Sequence, residues 1–141
     1  MIGFNHALAG VIIGVTVPAP FVPVVALASH FAMDALPHFG RSETFKPYTG
    51  AFKALLVIDG VICLAVLAGG LWLFPSHAIG ILLGTFFARL PDFLWLLEGR
   101  VQWMKRYFHL AHVIQWGEVS WGWMLELVYA AIFFTIIVVL A

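Results

Sequence analysis

The chain has 141 residues, 63% of them hydrophobic and only 10% charged, whereas a soluble globular domain carries about 25% charged residues; lipid must therefore solvate most of its surface. Seven basic and seven acidic residues cancel to a net charge of zero, which excludes the basic footprint of a nucleic-acid-binding protein. Cys63 is the single cysteine, which excludes an intramolecular disulfide and a Cys-rich zinc module.

The chain opens Met-Ile-Gly-Phe-Asn-His and has no Lys or Arg before residue 41. The positive leading region of a cleavable signal peptide is missing, so the first apolar segment is expected to be retained. Pro18, Pro20 and Pro23 interrupt that segment, and each proline removes a helical hydrogen bond. Two helical pieces remain, 5–16 and 24–36, each about 20 Å long and too short to cross a bilayer. A re-entrant hairpin is expected, the alternative being one broken spanning helix. In either arrangement the Pro-rich backbone must be shielded by protein or line a cavity.

Residues 39–50 are polar and contain Gly and Pro, which predicts an exposed loop. Three apolar stretches follow, at 51–74, 78–97 and 119–141, each near the ~20 residues that a transmembrane helix needs. Between the last two, residues 100–116 place Gln102, Lys105, Arg106, His109 and His112 at helical spacing with apolar residues between them, which predicts an amphipathic helix lying in the membrane interface. The expected fold is a single all-α integral membrane domain over 1–141. Arg41, Lys46 and Lys53 flank the start of the first spanning segment, and Arg100, Lys105 and Arg106 follow the second, so both ends are expected on the cytoplasmic side. Trp95, Trp103, Trp116, Trp121 and Trp123 fall at the same interface. The expected location is a bacterial inner membrane.

His30, Asp34 and His38 recur every four residues and stay within an arc of about 80° on a helix. Imidazole and carboxylate suit zinc and other divalent transition metals, and leaving such groups uncompensated near lipid is costly. His6 and Asp34 each lie 14 residues from Pro20, so a hairpin turning there brings His6 opposite Asp34 as a further ligand. Asp59 and Arg89, equidistant from Phe74, are expected at matching depth as an ion pair. Asp92 follows Pro91 and is placed to turn a carboxylate into the cavity as a metal ligand or general base, the alternative being a pairing with Arg89 three residues earlier. His109 and His112 share a face and are weaker ligand candidates. Glu126, inside the last span, is a candidate acid or base. Gly10 and Gly14 form a Gly-x3-Gly row suited to close helix packing. His77 lies at the opposite membrane side and is left out of the site.

The segments Asn5-His6-Ala-Leu-Ala-Gly and Ser29-His30-Phe-Ala-Met-Asp34-Ala-Leu-Pro-His38, and more loosely Ala88-Arg-Leu-Pro-Asp92, resemble motifs of small bacterial membrane-bound metal-dependent hydrolases, which are related in outline to the all-α zinc phospholipase C and nuclease fold. The resemblance covers roughly the first 40 residues. It implies a metal site at His6, His30, Asp34 and Asp92. Phe93, Leu94 and Trp95 stand where that family continues to a second Asp and a His, and His109-Leu-Ala-His112 stands in place of its further His motif. The expected function is a metal-dependent hydrolase at the cytoplasmic membrane interface. Zinc is the expected metal and a phosphoester or lipid headgroup the substrate. Asp92 and Glu126 would handle the proton, and Arg89 would neutralise phosphate charge. Membrane lipid is the expected partner, and self-association into a homo-oligomer is compatible with the sequence. The alternatives are a His/Asp cluster that passes ions or protons, a haem or other cofactor holder, and a structural subunit.

Overall fold

A computed structural model describes residues 1–40, 49–95 and 97–141. The loop expected at 39–50 therefore lies largely outside the described residues, together with Arg41 and Lys46. Six α-helices form the described fold. The first two, α1 (Gly3–Thr16) and α2 (Val22–Asp34), are joined through Pro18 and a 3-10 turn at Ala19–Phe21. Val17, forced towards extended geometry by the following proline, takes φ −102° and ψ 137° and ends α1. Pro23 sits in the first turn of α2, where its missing N–H costs nothing. Two short helices are therefore joined through a Pro-rich turn. The second of them starts two residues earlier than expected, because Pro23 is tolerated in its first turn, and stops two residues earlier, because Pro37 disfavours a helical Leu36.

Helices α3 (Gly50–Leu73), α4 (Ala78–Trp95) and α6 (Trp123–Leu140) are the long ones. Taken with the turn before α4, these three are long and apolar enough to cross a membrane. Their outward faces are apolar and exposed, with Val139 at 80%, as suits a surface in contact with lipid. Thr49 caps α3 by accepting the Phe52 N–H. The segment expected as one interfacial helix at 100–116 is shorter: α5 covers Lys105–Ile114, with 3-10 turns at Gln102–Met104 and Gln115–Gly117. Gly99, at φ +76°, breaks the chain away from α4.

The most extensive helix contact is between α1 and α4. They run antiparallel, with Gly10 against Gly84 and Gly14 against Gly80. A Cβ added at Gly84 would stand 2.1 Å from the Gly10 carbonyl oxygen, and one at Gly80 would stand 2.2 Å from that of Gly14. Two small-x3-small rows thus face each other and let the backbones touch. The Gly10/Gly14 row is a packing surface, and Gly80 and Gly84 are its partner. Beside this crossing, Leu8, Val11, Phe74, Ile81 and Ile137 form the apolar core.

A two-residue parallel bridge was not expected. It pairs β1 (His38–Phe39) with β2 (Glu118–Val119) and ties the chain after α2 to the chain before α6. Gly122 permits the approach, since a Cβ there would lie 2.3 Å from the His38 carbonyl carbon.

Candidate metal centre

Three ligand-type residues meet where α1 begins and α2 ends. His6, His30 and Asp34 are all buried, and one ligand atom of each lies within 4.8 Å of the others. The His6 and His30 rings stack with centroids 4.1 Å apart. His6 Nε2 is 3.1 Å from Asp34 Oδ1, and His30 Nε2 is 3.3 Å from Asp34 Oδ2. The equal count from Pro20 does bring His6 opposite Asp34. His30 and Asp34 meet because they stand one helical turn apart on α2.

The ring of His30 is oriented from α4. Its Nδ1 lies 2.8 Å from the Ala88 carbonyl. That bond fixes the ring with Nε2 turned to Asp34 and, at 3.9 Å, to Asp92. Metal-ligating histidines are held in this way by a backbone carbonyl on their far nitrogen. His6 Nδ1 is buried and has no hydrogen-bond partner. Asp34 is the hub of the cluster, also accepting from the chain's terminal ammonium at 2.7 Å and from Gln115 Nε2 at 3.0 Å. Burial alone would raise the Asp34 carboxyl. The hydrogen bonds from His30 and His6 and the ammonium charge overcome it and hold the group well below the usual carboxylate range. Burial lowers the affinity of His6 for a proton.

The other residues singled out by spacing take separate places. His38 is buried, but α2 has ended before it, so the helical row stops at Asp34; His38 Nδ1 bonds the Leu36 carbonyl within its own turn. His112 pairs with Glu98 at 2.7 Å on an exposed face, and His109 is exposed. His38, His109 and His112 are not among the three residues whose ligand atoms converge. Asp92 is at the rim, 38% exposed. Asp59 and Arg89 form no salt bridge within 4.0 Å among the described residues. Asp59 instead accepts the Phe4 N–H at 2.8 Å, and Arg89 packs its guanidinium over the Phe93 ring.

Glu126 is buried and holds the fold together from α6. Its Oε1 accepts the Ile2 and Phe39 N–H groups, and its Oε2 accepts Asn5 Nδ2 at 2.6 Å. Helix α1 has no acid in its first turn and no side-chain cap of its own. Its leading N–H groups are satisfied instead by Asp59 of α3 and Glu126 of α6. Glu126→Ala would strand these donors in the interior, at a cost of about 3 kcal/mol, whereas Glu126→Gln keeps an acceptor and should lose less. Thermal unfolding in detergent measures both, and equal stability of Glu126→Ala and the wild type would refute the clamp.

Two site residues carried no signal in the sequence. Gln115 ends the amphipathic stretch and binds Asp34. Tyr107, from α5, places its hydroxyl in the interior with no partner. Burial first, and then the charges of Asp92 and Asp34, push its phenol up, so it stays protonated and able to donate. Neither belongs to the row of Gln102, Lys105, Arg106, His109 and His112 that helical spacing singles out, so the pattern gives no reason to look at them. A scan of protein-family models, a search of curated proteins and a search of solved structures find no match to this chain.

Proposed function

We propose that His6, His30 and Asp34 hold a divalent transition metal ion, zinc by the chemistry of the donors, and that the protein is a metal-dependent hydrolase acting on a phosphoester such as a lipid headgroup at the cytoplasmic face of the membrane. The observation that carries this reading is the convergence of two imidazoles and a carboxylate in a buried cluster, with His30 already oriented by the Ala88 carbonyl. Two nitrogens and one oxygen make a three-residue protein set of the kind found in catalytic zinc sites, which leave a position open. His6 Nδ1, buried without a partner, fits an environment that still lacks one group.

Zinc held there would supply Lewis acidity to a phosphoryl oxygen and lower the pKa of water. The chain's own residues do the rest. Asp92, at the rim and facing His30, accepts the proton from the attacking water. The buried Tyr107 hydroxyl donates to an oxygen of the substrate, and α5 keeps bulk water from the cluster. Asp34 and the two histidines fix position, while Glu126 and Asp59 anchor the helix that delivers His6. The positive residues around Lys53 and from Arg100 to Arg106 support placing the site at the cytoplasmic face.

Elemental analysis of detergent-purified protein tests the metal, with one zinc per chain expected. Hydrolysis of a chromogenic phosphodiester, lost with a chelator and restored by zinc, tests the reaction. Tyr107→Phe should lower that turnover about 100-fold. Full turnover in Tyr107→Phe would remove the hydroxyl from the mechanism.

A further inference from the structure

A second polar feature lies on the other side of α4. Between α3 and α4 is a cleft of about 240 Å³, walled by Leu64 and Leu67 from one helix and Leu82 and Phe86 from the other, with Arg89 and Phe93 at one end. Leu64, Leu82 and Phe86 are about half exposed or more, and both helices are candidate spans, so the cleft faces lipid. Arg89 is the one charged residue lining it. Its Nε is buried and has no hydrogen-bond partner, and it forms no salt bridge among the described residues. Its guanidinium carbon sits 5.0 Å from the centre of the Phe93 ring, one helical turn nearer the end of α4.

An arginine in a spanning helix is costly unless something pairs with it. Asp59 acts on it only from a distance, with no salt bridge between them within 4.0 Å and with Oδ1 accepting the Phe4 N–H. Arg89 lies six residues before the last residue of α4, about 9 Å along the helix axis. The turn gained by reaching over Phe93 carries the guanidinium towards headgroup depth, as snorkelling side chains do. A planar cation there matches phosphate oxygens, and the apolar walls running away from it match a hydrocarbon chain. Basic pockets between spanning helices on the cytoplasmic side bind anionic headgroups in the same way.

We propose that the α3/α4 cleft is a seat for one anionic phospholipid, its phosphate on Arg89 and one acyl chain along Leu64, Leu67, Leu82 and Phe86. The seat uses none of the three clustered ligands and does not depend on the metal reading, which elemental analysis settles separately.

Native mass spectrometry of protein released from nanodiscs of equal phosphatidylglycerol and phosphatidylcholine content tests it. The wild type should retain one phosphatidylglycerol about fivefold over phosphatidylcholine. Arg89→Lys should keep that preference and Arg89→Gln should lose it. Leu64→Trp, which narrows the cleft without touching the charge, should reduce retention of both lipids and keeps the proposal testable if Arg89→Gln does not fold. An unchanged preference in Arg89→Gln, an unchanged adduct in Leu64→Trp, or retention of free fatty acid in place of phospholipid would each overturn it.

Discussion

His30→Ala is expected to yield protein without stoichiometric metal, its affinity lowered by at least about 100-fold. Loss of an outer-shell partner alone costs 10- to 100-fold, and His30 is proposed as a ligand whose far nitrogen is already engaged by Ala88. Asp34→Ala should do the same, at a larger cost to folding, because His6, His30, Gln115 and the terminal ammonium all converge on that carboxylate. Asp34→Asn separates the two effects, keeping the shape and one acceptor while removing the charge that a divalent cation needs. Loading should also register in stability. At a free metal concentration 100 times Kd, the folded state gains about 2.7 kcal/mol, so a chelator should lower the wild-type melting temperature and leave that of His30→Ala unmoved. Equal metal content in wild type, His30→Ala and Asp34→Ala would refute the proposed centre.

The second large effect is expected at the α1/α4 crossing. Gly84→Ala inserts a methyl group where the Gly10 backbone already stands, and Gly80→Ala does the same against Gly14. The atoms met are backbone, so no rotamer change relieves the overlap and the helices must move apart. A cost of about 3 kcal/mol or more is expected, along with loss of the cluster geometry, because α1 carries His6 and α4 carries Ala88. Gly60→Ala and Gly69→Ala are the matched controls. Nothing lies within 4 Å of a Cβ at either position, and replacing glycine in a helix favours folding by up to about 1 kcal/mol. Unfolding in detergent should rank Gly84→Ala far below both controls, and a common melting temperature for all three would refute the close crossing.

Features with a period or a length could be read from the sequence, and features made by distant partners could not. The three spans are visible because bilayer thickness sets a length that Gly50–Leu73, Ala78–Trp95 and Trp123–Leu140 approximate. The meeting of His6 with Asp34 follows from counting outward from Pro20, because two helices of equal rise keep equal depth. Gly10 and Gly14 could be assigned to packing, but their partners Gly80 and Gly84 could not, since a small-residue row does not say which helix it meets. His38 was placed with His30 and Asp34 by a helical spacing that outlasts the helix itself; the Pro37 that ends α2 moves it into a two-residue bridge too short to leave any pattern. Asp59 and Arg89 sit at depths that suggest a pair, yet the free N–H groups of α1 claim Asp59 instead. Glu126 looked like an isolated acid because its donors, Ile2, Asn5 and Phe39, are remote in sequence.

The way α1 is capped bears on how the protein is made. The Ile2 N–H finds its acceptor on Glu126, 124 residues further along the chain. At 5 to 20 residues per second, that acceptor is synthesised roughly ten seconds after the donor. During that interval the Ile2 N–H and the Asn5 side-chain amide lack their acceptor, and among the described residues Asp59 alone anchors α1 by a hydrogen bond from outside the hairpin. Completion of the proposed metal centre is therefore expected late in biogenesis, after insertion of α6, and ribosome-stalled chains ending before Glu126 should bind zinc more weakly than the full chain even though every proposed ligand has already been synthesised.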